Sequence, residues 1–221
     1  MLVWDFPLRL FHWALVIAVV GAIGSGKAEV LWLHERFGLT VLGLVIFRIL
    51  WGFIGGHYAR FSAFIVLPYA AFRGFLGLLK RDDSPHAPGH SAIGGYAVVG
   101  LLAIIGGMAI SGSMSNDDVL FEGPLAHLVP NFTNTATDIH DFGEGLLFLM
   151  LLLHLAAILV YKFIKRQNLT MVMISGRAVP DGQCATPDGA ISRRKCWFGL
   201  CLMLACIAGA QAISLLRPSL F

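Results

Sequence analysis

The hydrophobic positions of the chain fall into five long runs, at residues 6–24, 37–56, 91–114, 139–161 and 196–216. Each run is close to the ~20 residues that a helix needs to cross the hydrocarbon core of a bilayer. Because no water satisfies backbone groups inside the bilayer, each run predicts a transmembrane helix. The first run lacks a clear small-residue cleavage site, so we expect a retained helix rather than a signal peptide.

Composition supports a membrane protein and argues against other classes. Of the 221 residues, 57% are apolar and only 13% are charged, whereas about a quarter are charged in a typical soluble protein. A disordered chain is excluded, a soluble domain is disfavoured, and the small, scattered net charge of +3 argues against nucleic-acid binding. The four cysteines form neither a disulfide framework nor the Cys-x-x-Cys-His motif of covalent haem attachment.

Lysine and arginine residues set the expected orientation of the helices. With a cytoplasmic N-terminus, 12 of the 16 basic residues fall on the cytoplasmic side. We therefore expect the N-terminus in the cytoplasm and the C-terminus on the opposite side. The loop between the third and fourth runs is acidic and includes Glu122. This loop is open to three interpretations: a solvated loop, a proton acceptor at a quinol site, or a surface that attracts a basic cytochrome c.

The segments between the runs predict the remaining organisation. Apolar residues alternate with arginines over residues 59–80, which favours a helix lying on the cytoplasmic surface of the membrane. Residues 179–195 include a stretch rich in Gly, Pro and Asp and predict a cytoplasmic linker. The expected division is a core at residues 1–178, this linker, and a fifth transmembrane helix at residues 196–216.

Two of the eight histidines share one face of the fourth predicted helix. His140 and His154 are 14 residues apart, so their directions differ by ~40° and their heights by ~21 Å along the helix axis. His140 is then expected near the outer surface of the membrane, and His154 near the cytoplasmic surface. Ionisable residues within membrane spans are usually functional.

Two further histidines lie at matching depths on the first and second helices. His12 is expected at the depth of His154, and His34 at the depth of His140. Two facing histidines can bind a haem iron from both sides. We therefore expect His12 and His154 to bind an inner haem iron, and His34 and His140 to bind an outer one, both as non-covalent b haems. The alternative for any single histidine is that it lies at the membrane interface and does not bind iron.

Several motifs within residues 1–178 resemble one known family. They include VWDFPLRLFHW at residues 3–13, LHERFG at 33–38, FRILWG at 47–52, EGPLA at 122–126 and IHD at 139–141. With KRQNL at 165–169 and SGR at 175–177, they make the chain similar to the prokaryotic cytochrome b561 and nickel-iron hydrogenase b-type cytochrome superfamily. The fifth predicted helix lies outside this resemblance.

The resemblance implies an all-α integral membrane protein, in which a four-helix transmembrane bundle holds two b haems and exchanges electrons with membrane quinone or quinol. It implies the same four histidine ligands and a multi-pass position in the bacterial inner (cytoplasmic) membrane, where the distribution of Lys and Arg predicts a periplasmic C-terminus. No catalytic side chain is expected. The expected redox partner is a periplasmic cytochrome c or oxidoreductase. A haem-bearing anchor subunit of a hydrogenase-like complex is the alternative, and a homodimer is compatible with either. A further alternative, from a different class, is a transporter in which His and Asp residues relay protons or metal ions, and such a protein would need no haem.

Two arginines are candidates for contacts with the haems. Arg48 lies within the second run, where it either pairs with a haem propionate or extends its guanidinium to the membrane surface. Arg9 is spaced to pair with Asp5 at i, i+4, or with a propionate.

Three smaller features complete the candidate haem surroundings. Gly38 and Gly143 lie about one helical turn beyond two of the histidine ligands, where a small residue lets a porphyrin face approach the helix. The motif GHS at residues 89–91 resembles the family and adds His90. The chain departs from the family nearby, because Ala92 stands where the family often has proline.

Overall fold

A computed structural model of the chain describes residues 1–65, 92–117, 121–178 and 189–217. Within these ranges the protein is all-α, as predicted. Its helices are α1 (Phe6–Lys27), α2 (Leu31–Ile54), α3 (Ala92–Met114), α4 (Thr133–Phe163), the short α5 (Leu169–Ser175) and α6 (Arg193–Ala212). A 3-10 turn at Ile213–Leu216 continues α6. All except α5 are long and apolar enough to span a membrane, which confirms the five predicted spans.

Two of the long helices begin six residues earlier than the hydrophobic runs predicted, and α6 begins three residues earlier. Helix α2 begins at residue 31 rather than 37, and α4 at residue 133 rather than 139. The runs mark only the part of a helix that is apolar enough for lipid, whereas both helices continue through polar first turns. The earlier start of α2 places His34 within the helix.

Some predicted segments fall partly outside the described ranges. Of the predicted surface helix at residues 59–80, the described part forms short 3-10 turns at His57–Ala59 and Phe61–Ala63. Residues 66–91, which include His90, lie outside the described residues, as do residues 179–188 of the predicted linker.

Large apolar side chains remain exposed along the long helices. Ile17, Phe142 and Leu152 are 67%, 76% and 65% exposed. Monomeric soluble proteins rarely present extended apolar surface of this kind. These helix faces are therefore suited to contact lipid.

The described helices divide into two compact units. The first comprises Met1–Leu10, Ile49–Leu101 and Met150–Leu200, and the second comprises Phe11–Arg48, Leu102–Leu149 and Cys201–Phe221.

A buried carboxylate organises the first unit. Asp5 is 2% exposed and accepts the Leu8 N–H at 2.9 Å, which caps the N-terminus of α1. The same carboxylate accepts the Trp51 indole N–H at 3.2 Å and the Gly56 N–H at 3.1 Å. Asp5 thereby ties the beginning of α1 to the end of α2. The N-terminal strand-like segment is also held by the Val3 N–H, which donates to the Gly176 carbonyl at 2.7 Å.

In the second unit, α6 packs directly against α2. A Cβ added at Gly43 of α2 would lie 2.6 Å from Ile207 Cα and 2.7 Å from the Cys206 carbonyl oxygen of α6. The two helix backbones therefore approach so closely that only glycine fits at this position. The helix that lies outside the family resemblance is thus an integral part of this unit.

Candidate haem-binding site

The structure brings the rings of His34 of α2 and His140 of α4 next to each other within the second unit. Their ring centres lie 5.9 Å apart and their planes are at 87°. Two imidazoles bound to opposite sides of one metal ion, with bonds of about 2.0 Å and ring centres about 1.1 Å behind the bonded nitrogen, would have centres about 6.2 Å apart. The observed separation therefore fits two axial ligands of a single iron.

Each of these imidazoles is oriented by a backbone carbonyl of a neighbouring helix. The Nδ1 atom of His34 lies 2.8 Å from the Ala22 carbonyl oxygen of α1, and that of His140 lies 2.9 Å from the Met108 carbonyl oxygen of α3. A carbonyl oxygen can only accept, so Nδ1 must donate in both cases. The other ring nitrogen, Nε2, is then left with a lone pair for a metal, as in other metal-binding histidines.

A glycine makes room for each ring at the same place on its supporting helix. A Cβ at Gly26 would lie 2.9 Å from His34 Nδ1, and a Cβ at Gly112 would lie 2.8 Å from His140 Cε1. Each glycine lies four residues after the residue whose carbonyl orients the ring, Gly26 after Ala22 and Gly112 after Met108. These two glycines were not predicted from the sequence, because contacts between helices leave no spacing signal in either helix.

A cleft opens beside the two histidines. The cavity inside it has a volume of about 190 Å³. Both histidines line the cleft, together with apolar and small residues such as Gly38 and Leu39. Three carboxylates also line it, those of Glu35, Asp117 and Asp141.

The donor set and the lining of the cleft fit a b-type haem. Two imidazoles held in a fixed orientation would bind an iron from both sides. The largely apolar lining suits a porphyrin, and no cysteine is required for its attachment. The fit rests on these residues of the second unit alone.

The other two predicted ligands, His12 and His154, belong to different units of the structure. His12 lies on α1, half-buried, with its ring edge-on to Trp13 at 5.1 Å between centres. His154 lies on α4 and is also half-buried. Their pairing around an inner haem stays a prediction.

The two candidate arginines occupy different environments. Arg48 is 2% exposed, so its guanidinium lies inside the protein and does not extend to the surface. Arg9 donates to the Ile174 carbonyl at 2.5 Å and lies over the Phe6 ring. The carboxylate of Asp5 accepts hydrogen bonds from α1, from Trp51 and from the segment after α2, and among the described residues it forms no ion pair with Arg9.

The two candidate glycines also differ. A Cβ at Gly38 would meet no atom within 4 Å, which agrees with open space in the cleft. A Cβ at Gly143 would lie 2.7 Å from Met108 Cγ, so close packing between α4 and α3 requires a small residue there. A role for either glycine next to a porphyrin stays a prediction.

Comparison with known proteins identifies the class of membrane protein to which this arrangement belongs. The chain matches the family described as Prokaryotic cytochrome b561 over residues 3–176. It is therefore a member of the prokaryotic cytochrome b561 family, a multi-pass membrane protein for which the family implies b-type haem and electron transfer across the membrane. The match ends before α6. No curated protein and no solved structure matches the chain.

Proposed function

We propose that this protein carries electrons across the bacterial inner membrane through two bis-histidine b haems. Electrons would pass between membrane quinone or quinol and a periplasmic cytochrome c or oxidoreductase. The observation that carries the proposal is the pair formed by His34 and His140, with ring centres 5.9 Å apart and both Nδ1 atoms bound to backbone carbonyls.

The chemistry follows from what these residues hold in place. A bound haem iron supplies one-electron exchange between its ferric and ferrous states. The two imidazoles would hold the iron, and the carbonyls of Ala22 and Met108 hold the imidazoles in place, so little would have to rearrange when the charge on the iron changes. The surrounding protein sets the potential through ligands, burial and hydrogen bonds. The proposal needs no nucleophile and no general acid or base.

A second haem at His12 and His154 completes the proposed route across the membrane. Two points support this second haem. The sequence predicts that His12 on α1 and His154 on α4 lie at the same depth in the membrane, and both side chains are half-buried. Arg48, buried inside the protein, is the proposed partner of a haem propionate, because a buried guanidinium and a carboxylate form strong charge-assisted hydrogen bonds. The distribution of Lys and Arg supports a cytoplasmic N-terminus and a periplasmic C-terminus.

The haem content of single-histidine variants tests this proposal. We expect two b haems per chain in the purified protein, measured as the pyridine complex of the extracted haem against protein concentration. His34→Ala and His140→Ala should each lose one haem. The matched control is His57→Ala, because His57 is exposed on a short turn and should keep both haems. Retention of both haems in His34→Ala would refute the assignment.

Electron exchange is tested on the same preparations. A quinol should reduce the haems of the wild-type protein, as followed by the reduced-minus-oxidised α-band. If none of the quinols tested reduces the haems, the proposed link to quinone is refuted. Co-purification of a large metal-containing subunit would instead assign the chain as the membrane anchor of a hydrogenase-like complex.

A further inference from the structure

The segment that follows α6 reaches the edge of the cleft beside His34. Arg217 Nη2 lies 2.7 Å from Glu35 Oε2 and donates to the Glu122 carbonyl at 2.6 Å. Glu35 directly follows His34 and lines the cleft. The side chain of Glu35 is only 10% exposed, whereas that of Arg217 is 41% exposed. A nearly buried carboxylate next to the candidate haem site thus receives its positive partner from a residue 182 positions away.

Contacts along α6 and its 3-10 extension hold Arg217 in this place. Gln211 donates to the Arg36 carbonyl at 2.8 Å and to Thr40 Oγ1 at 2.9 Å. Arg36 donates in return to Gln211 Oε1 at 3.1 Å and to Ser214 Oγ at 3.0 Å. The C-terminal helix is therefore fastened along the first turns of α2, directly beside the histidine that they carry. The position of Arg217 follows from this attachment.

We propose that Arg217 is a positioning residue that raises the reduction potential of the haem held by His34 and His140 by neutralising Glu35. This inference rests on the proposed function of that site. A carboxylate in a weakly solvated place interacts strongly with nearby charge. Without its partner, the negative charge of Glu35 would favour ferric over ferrous iron, since the ferric state carries one more positive charge. The helix outside the family match would thus tune a redox centre within it.

The test is a spectroscopic redox titration of the Arg217→Gln protein. Glutamine removes the charge and keeps an amide group that can donate to the Glu122 carbonyl. We expect one haem to shift by about threefold to tenfold in favour of the ferric form, while haem content stays at the wild-type value. For a one-electron couple, this corresponds to a decrease in midpoint potential of about 30–60 mV.

Four further variants separate a charge effect from a structural one. Arg217→Lys restores the charge and should restore the potential. Glu35→Gln should shift the same haem in the opposite direction, because it leaves Arg217 without a carboxylate, and the double variant should lie close to wild type. Lys27→Gln is the matched control, because it removes one positive charge from an ion pair with Glu144 in which both side chains are well exposed, at 65% and 43%.

The outcomes are distinct for the two proposals. An unchanged potential in Arg217→Gln, or an equal shift in Lys27→Gln, would overturn the role of Arg217 and leave the haem assignment intact. If Arg217→Gln does not assemble, Glu35→Gln decides: a higher midpoint potential of one haem supports the role of Arg217, and an unchanged or lower midpoint potential overturns it. A wild-type protein without a haem at His34 and His140 would overturn both proposals.

Discussion

Replacing Gly112 with alanine is expected to weaken haem binding at the site formed by His34 and His140. The new Cβ would lie 2.8 Å from His140 Cε1 and 2.9 Å from His140 Nδ1. Carbon atoms pack best at about 3.5–4.0 Å, so the ring would have to retreat by roughly 0.7–1.2 Å. That retreat would disrupt the 2.9 Å hydrogen bond to the Met108 carbonyl and move Nε2 away from the iron position.

The magnitude follows from the cost of overpacking. An extra methyl group in a closely packed place typically costs about 1–3 kcal/mol, which corresponds to about 5- to 150-fold in the haem binding constant. The assay is reconstitution of the haem-free protein in detergent with increasing haem, followed by optical absorption. Gly107→Ala is the control on the same helix, because its Cβ would meet no atom within 4 Å. Equal haem affinity in the two variants would refute the reasoning.

Three other substitutions test neighbouring features. Gly26→Ala should weaken binding of the same haem, because its Cβ would lie 2.9 Å from the His34 ring. Gly24→Ala is the control and should leave haem binding unchanged, because its Cβ would meet no atom within 4 Å. Titration of the haem-free variants with haem measures the difference. Asp5→Ala should lower the free energy of unfolding by about 2–4 kcal/mol by removing a helix cap and leaving buried N–H donors without an acceptor, measured as a decrease in Tm in detergent. Gly43→Leu should displace α6 and increase its proteolytic release, while Gly209→Leu, which points to open space, should not.

The membrane helices could be predicted because each depends on a single segment of the chain. The thickness of the bilayer sets the length of an apolar run, and the helical rise sets the height of each residue along it. Those heights predicted that His34 lies near His140, and the two ring centres are 5.9 Å apart; the binding of one iron by both stays a prediction. The starts of α2 and α4 were predicted six residues late, because polar first turns carry no hydrophobic signal.

The supports of the site could not be predicted from the sequence. Each ligand ring is oriented by a carbonyl and admitted by a glycine on another helix, and such contacts depend on how the helices are rotated against each other. The same holds for Arg217 and Glu35, which are brought together only by the packing of α6 along α2. The sequence does contain many glycines in its apolar runs, but glycine is frequent in membrane helices and does not indicate which of them meets a ligand.

The central claim is that His34 and His140 bind one haem iron from opposite faces with nearly perpendicular rings. Electron paramagnetic resonance of the oxidised protein tests it most directly, because the signal of ferric haem reports both its axial ligands and their relative orientation. We predict a strongly anisotropic low-spin signal, as expected for imidazole planes at 87°, and its loss in His140→Ala. A high-spin signal in the wild-type protein, or a low-spin spectrum that His140→Ala leaves unchanged, would contradict the account.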